Sequence, residues 1–377
     1  MDLNLTEDQE TIREVFATFF GAETGPVRAR NAEPVGFDGA AWERLLETGA
    51  PGMGVAEAAG GGGASLADLT LVAAEAGARI APLPLVDHMV TARLLADTET
   101  SRGAGAQGVV ALDAVLAGTT IVGLAVRRAV DSIARTVPTG AVAHRVVALD
   151  GDRLVVDRPS GNLAGAHLAN HGCLPMAHRD LTDAEVLAEG PDAVIAFERA
   201  VNEWRTLTAA TLVGMAREAL VLGVGYVTER EQFGRPVGSF QAVQHLLADL
   251  PGLIDGAYLL TAKAAWAGDR AAAGTAGELD VDANVVTDFP ALAAMALVAA
   301  GEAATTTTDR SLHVHGGYGF SEEYDIQLYY RRARALAYVL DDPARECRRL
   351  AGMLFADARG ASGHTDDAPQ ARQGVAG

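Results

Sequence analysis

The chain is 377 residues long with 49% hydrophobic and 21% charged residues, a balance that excludes a disordered protein or a fibre and predicts two or three domains. Its 30 basic and 49 acidic residues leave a formal charge of −19. That total argues against nucleic acid or an anionic membrane surface as a partner, because such binding neutralises phosphates with Lys and Arg, but it leaves room for a local basic pocket.

Aromatics are scarce at 5% and Gly is abundant (42), which favours closely packed helices over a β-sandwich. The opening MDLNLTEDQETIREVF lacks the basic start and apolar run of a secretory signal. Cys173 and Cys347 form neither a disulfide framework nor a metal-ligand spacing. A reduced, cytoplasmic protein with no metal is therefore expected. The longest apolar stretch, near Phe289–Ala300, is too short to span a bilayer.

Residues 1–102 read as an N-terminal helical domain. Thr6 followed by Glu10 marks a helix start, and Ile12, Val15, Phe16, Phe19 and Phe20 recur at helical spacing. Trp42–Leu46 and Leu66–Ala76 continue the pattern. Gly60-Gly61-Gly62-Gly63 lacks the Lys-Ser/Thr ending of a phosphate loop and reads as a flexible connection. Residues 103–192 read as a small antiparallel β-domain. Val109–Ala117, Thr119–Val126, Arg145–Leu149 and Leu154–Val156 are short and β-branched, and Asp150-Gly151 marks a hairpin. Residues 193–357 read as a four-helix bundle built from Phe197–Arg230, Ser239–Arg270, Phe289–His313 and Glu322–Leu340, with Pro343 ending the last segment. Residues 358–377 read as a disordered tail.

Two segments stand out. One is Glu229-Arg230-Glu231-Gln232-Phe233-Gly234-Arg235-Pro236-Val237-Gly238-Ser239-Phe240-Gln241; the other is His313-Val314-His315-Gly316-Gly317-Tyr318-Gly319-Phe320. Taken singly, Arg230 reads as a helix-end charge beside Glu231, Gly316-Gly317 as a helix-stopping turn, and Phe233 and Phe240 as core. Together, R-x-x-F-G…G-x-F-Q and G-G-x-G-F in a helix–strand–helix chain resemble the acyl-CoA dehydrogenase family. The resemblance implies an α+β, mainly α fold and FAD as cofactor. It also implies that Arg230, Phe233, Gln241, His313, Gly316 and Gly317 meet the ADP half of a FAD bound mainly by a neighbouring subunit. The chemistry agrees: Arg230 offers a planar fork for phosphate oxygens, and Gly316-Gly317 lets backbone approach a ligand. His313 stands where the family usually has Gln.

The family's reaction needs a carboxylate to remove the α-proton of an acyl thioester while the flavin takes the β-hydride. Counted from the two motifs, the family's two base positions fall on Leu340 and Trp204, neither of which can accept a proton. The nearest carboxylates are Asp341 and Glu203, and a one-residue shift turns a helical side chain by about 100°. The T-E-P-x-x-G-S-D-like stretch that the family places against the flavin ring is missing, Thr136-Val137-Pro138-Thr139-Gly140 being the nearest segment. The resemblance thus implies the partner subunit of a heteromeric acyl-CoA dehydrogenase, of the kind used on bulky, steroid-like acyl-CoA. Such a subunit assembles as a tetramer with a second, catalytic dehydrogenase-like chain, with an electron-transferring flavoprotein as acceptor. The alternatives are a self-sufficient homotetramer with Asp341 as relocated base, a catalytically inactive structural subunit, or a flavin oxidase acting on a carrier-protein thioester or a small nitrogen compound.

Overall fold

A computed structural model describes residues 4–102, 109–158, 166–275 and 286–355. Helix α1 (Glu7–Glu23) begins where the sequence places a start, but the reciprocal partner of Thr6 is Gln9. The Thr6 hydroxyl accepts from the Gln9 amide at 3.2 Å, and the Gln9 side chain accepts from the Thr6 amide at 3.2 Å, so two orphan donors are satisfied. Helices α2 (Pro26–Asn31), α3 (Gly39–Leu46), α4 (Leu66–Ala78) and α5 (Leu85–Arg102) follow. Asp38 caps α3, and Ser65 caps α4 in a second capping box. The four-glycine run is not a loose connection. Gly63 donates to Val55 O at 2.8 Å, Gly62 to Gly52 O at 3.2 Å, and a Cβ on Gly61 would lie 2.2 Å from Val55 O. Glycine is there because the run folds back tightly on residues 52–55.

The middle region departs from the sequence reading in two places. Val109–Ala117 is not a strand: Leu112, Val115 and Leu116 share one face of the short helix α6 (Leu112–Leu116). The sheet is also mixed. Its strands are β1 (Val122–Leu124), β3 (Arg145–Asp150), β4 (Arg153–Val156) and β6 (Glu185–Glu189), ordered β1-β3-β4-β6, with β2 (Ile133–Val137) and β5 (Ala177–Asp180) forming a separate antiparallel pair. β1 runs parallel to β3, because about twenty residues separate them and carry the chain back across the sheet. The predicted hairpin is present: Asp150 faces Arg153 across a two-residue turn, and Gly151 takes φ +65°.

Helix α7 (Pro191–Glu229) opens the C-terminal region and is followed by the two-residue strands β7 (Glu231–Gln232) and β8 (Arg235–Pro236). The helix expected over Ser239–Arg270 is two, α8 (Gln241–Ala248) and α9 (Leu250–Ala272), because Pro251 fits only in a first turn. Next come α10 (Phe289–Val314), α11 (Ile326–Tyr338) and α12 (Pro343–Leu354). Pro343 ends the preceding segment as expected and also starts α12, whose N-cap Asp342 accepts from the Ala344 amide at 2.8 Å. The tail expected over 358–377 lies outside the described residues.

Both α7 and α10 are long and apolar enough to cross a membrane by length and composition, which corrects the shorter stretch read from sequence. They are mostly buried here, packed on each other in the main apolar cluster. Helix α7 also crosses α4 at backbone contact: Cβ atoms on Gly77 and Gly214 would lie 2.1 Å from Thr211 O and 1.9 Å from Ala74 O. One long helix therefore runs past the N-terminal helices, the sheet and the two motifs.

Candidate functional site

The two motif segments meet at one end of α7. A small apolar cluster of Val227, Leu247 and Leu250, flanked by Tyr226, Val237, Val243 and Val314, ties the end of α7 to α8 and the end of α10. Around it stand the residues singled out in the sequence. Arg230 is exposed, makes no ion pair among the described residues, and lies 5.6 Å from the Tyr318 ring, which places it beside the Gly316-Gly317 turn. Gln241 begins α8 and His313 lies in the last turn of α10; both are exposed. Gly316 has φ +64°, and nothing lies within 4 Å of a Cβ built on Gly316 or Gly317, so the backbone there faces open space. Phe233 is not core: it is 93% exposed at the tip of the β7–β8 turn with φ +56°, edge-on to Phe240. Phe240 in turn carries the Arg235 guanidinium at 4.1 Å, a cation the sequence reading did not single out. In a chain of net charge −19, Arg230 thus stands exposed beside open glycine backbone, with Arg235 nearby in sequence over Phe240. Beneath them His315 is buried, stacks on Tyr226 at 4.2 Å and uses Nδ1 with Ser311 O at 2.6 Å; burial lowers its pKa.

Trp204 lies on the same helix, much earlier along α7. It is 1% exposed, and its Nε1 donates to Asp87 Oδ1 of α5 at 3.1 Å. Burial pushes the Asp87 carboxyl up to about 7 against the opposing pull of the indole hydrogen bond. Both residues line a cavity of about 90 Å³ together with Pro138, Thr139, Thr208 and Leu174. The segment 136–140 thus reaches the pocket wall. The Thr139 hydroxyl is buried without a hydrogen-bond partner. At roughly 30 Å³ per liquid water, this space matches a few waters, whereas small-molecule sites measure about 300–1,000 Å³. Asp87 was missed in the sequence. Its signal was a lone acid inside the apolar run Leu83–Val90, which reads just as well as a solvated helix start.

The two carboxylates considered from sequence lie elsewhere. Glu203 is buried and turned to α5, where Arg93 donates to it from Nε at 2.9 Å and Nη2 at 3.2 Å, and it does not line the Trp204 cavity. Asp341 accepts from the Asp342 amide at 2.8 Å and stands 3.5 Å from Arg345. With Leu340 it borders a separate void of about 10 Å³. Arg127 holds this loop down, donating to Leu340 O at 2.6 Å and Val339 O at 2.9 Å. Arg205, next to Trp204, is buried, donates to Asn202 Oδ1 at 2.7 Å and lies 3.5 Å from Glu346 of α12. Burial and the nearby Arg349 lower its pKa to about 10. Among the described residues no group of three His, Cys, Asp or Glu is placed to hold a metal.

FAD is the cofactor of the family that the motifs resemble. The open cluster around Arg230 suits a diphosphate, while the Trp204 cavity does not admit a tricyclic ring.

Comparison with known proteins agrees with the architecture. Residues 194–339 match the acyl-CoA dehydrogenase C-terminal domain and residues 6–112 the acyl-CoA dehydrogenase N-terminal domain. Acyl-CoA dehydrogenase IpdE2 of Mycobacterium tuberculosis (strain ATCC 25618 / H37Rv) is 30% identical over 91% of this chain and 96% of its own length. Benzylmalonyl-CoA dehydrogenase of Aromatoleum aromaticum is 27% identical over 89% and 94%. Among solved structures, a variant of the Tcur3481-Tcur3483 steroid ACAD superposes with a TM-score of 0.77 at 25% identity, covering 94% of this chain and 99% of that one. The ChsE4-ChsE5 complex from Mycobacterium tuberculosis gives 0.79 at 23% over 94% and 99%, a likeness of fold.

Proposed function

The chain belongs to the acyl-CoA dehydrogenase family of oxidoreductases, whose cofactor is FAD, and from that premise we propose that it is the partner subunit of a heteromeric enzyme that desaturates a bulky acyl-CoA. The observation that carries this reading is the state of the two half-sites. Arg230 stands exposed beside the open Gly316-Gly317 backbone, whereas Trp204, the residue that the motif spacing puts at the family's base position, is buried and donates to Asp87. A steroid ACAD named for two components, Tcur3481-Tcur3483, is among the similar structures.

In this reading Arg230 holds diphosphate oxygens of a FAD seated mainly in the neighbouring chain, Gln241 and His313 hydrogen-bond beside it, and Gly316-Gly317 lets the backbone come close. FAD when bound supplies the hydride acceptor. The α-proton goes to a carboxylate of the catalytic chain, since Glu203 and Asp341 are turned to other work here. Trp204 and Asp87 keep acyl group and ring out of this chain's own pocket. Electrons pass on to an electron-transferring flavoprotein, and the assembly is a tetramer built on the C-terminal helices.

The test is to assay acyl-CoA desaturation by the purified chain alone and after co-expression with the product of a neighbouring dehydrogenase-like gene that carries the missing Glu. Turnover is expected only from the pair; full turnover by the lone chain overturns the proposal. One observation favours a second reading: Asp87 is a carboxyl on the pocket wall with a pKa near 7, which suits a general base. That reading requires Trp204 to swing away and the lone chain to be active.

A further inference from the structure

We infer that the chain carries a second ligand site, for an amphipathic carboxylate with a bulky apolar body, on the far side of the α4–α7 crossing from Trp204. The cavity there measures about 720 Å³, within the range of small-molecule sites and eight times the roughly 90 Å³ at Trp204. The two share no lining residue, and the glycine contact between α4 and α7 lies between them.

The lining specifies the ligand. Leu71 of α4 and Val213 of α7 give an apolar floor, and Tyr258 and Trp266 of α9 give two flat walls. Each ring carries a guanidinium: Arg217 lies 4.7 Å from the Tyr258 centroid and Arg270 5.5 Å from that of Trp266. Arg217 makes no ion pair among the described residues, and Arg270 Nε is buried with no hydrogen-bond partner.

The carboxylates on the wall form no ion pair with these cations among the described residues. Asp269 is engaged at the start of α4, accepting from the amides of Leu66 at 2.6 Å and Ala67 at 3.1 Å. Glu75 is held up by burial, with Arg217, Arg13 and Arg79 pulling the other way. Arg217 is exposed at the rim, and Arg270 donates through Nη2 to Thr275 O, which leaves its Nε without a partner; the cavity thus presents positive charge over aromatic faces beside an apolar floor. A ring-bearing or branched organic acid supplies both complements: its carboxylate meets Arg217, and its body covers Leu71, Val213 and Trp266.

Cholate is a suitable probe, used with the full-length protein below micelle-forming concentration and followed by calorimetry. Saturable binding at one site per chain is expected. It should weaken at least about tenfold in Arg217→Leu, whose charge is removed, and by a similar factor for the neutral methyl ester of cholate. Ala262→Phe, which places a ring in the cavity, should abolish it. If that variant fails to fold, the Arg217→Leu and methyl-ester comparisons decide. Absence of saturable binding, or equal binding by Arg217→Leu and by the methyl ester, overturns the inference. Neither flavin nor a partner chain enters this measurement, so its outcome is independent of the subunit proposal.

Discussion

Asp87→Asn isolates the contact that closes the Trp204 pocket. In the native chain the Asp87 carboxyl is raised from its ordinary 3.8 to about 7 by burial, so the folded state binds a proton there that the unfolded state has released. The sign follows from linkage: the side chain costs nothing in stability below about pH 4, and the folded state is progressively penalised as pH rises through 7. At about 1.4 kcal/mol per pKa unit, the full penalty is on the order of 4 kcal/mol. Asn keeps an acceptor for the indole N–H and cannot ionise. Urea unfolding of both proteins between pH 4.5 and about 8, followed by Trp fluorescence, should show Asp87→Asn gaining on the parent by about 3–4 kcal/mol across that window. All other titrating groups are common to the two proteins and cancel. Parallel stability curves would refute the reasoning, because an Asp87 in contact with solvent would show no such difference.

Three further outcomes follow from the same geometry. Glu203→Ala removes the carboxylate to which the half-buried Arg93 donates twice and should cost about 1.5–3 kcal/mol in denaturant unfolding, marking Glu203 as structural. In the co-expressed enzyme, Asp341→Asn should leave kcat unchanged, since Asp341 faces the Asp342 amide and Arg345; a drop of a hundredfold or more, the scale of a lost general base, would restore it as the base. Arg230→Gln should lower the fraction of flavin retained by the complex on gel filtration without lowering the unfolding temperature, because its guanidinium is exposed and makes no ion pair among the described residues.

The parts of the fold that local chemistry dictates were legible in the residues. Capping at Thr6, the turn at Gly151 and the long apolar periodicity of α7 and α10 each act within a few residues, and the structure has them. What pairs across distance was not. The parallel β1–β3 pairing depends on twenty intervening residues, and the tight fold of Gly60–Gly63 depends on Val55. Val109–Ala117 misled because β-branched content says little about a five-residue helix that tertiary packing stabilises. At the candidate site, spacing between motifs drew attention to Trp204, which the structure places on a cavity wall. Its partner Asp87 lies 117 residues away, and no local pattern connects the two. Phe233 shows the limit of reading one residue at a time: alone an aromatic reads as core, within the motif it reads as part of the surface half-site, and it stands in solvent at a turn.

The central claim, that this polypeptide completes a flavin site for another chain and has none of its own, is tested most directly by flavin stoichiometry. Chain concentration and bound FAD are measured by absorbance for the lone protein and for the co-purified complex. The account predicts a colourless lone chain and one FAD for each pair of unlike chains. One FAD per chain in the lone protein would contradict it.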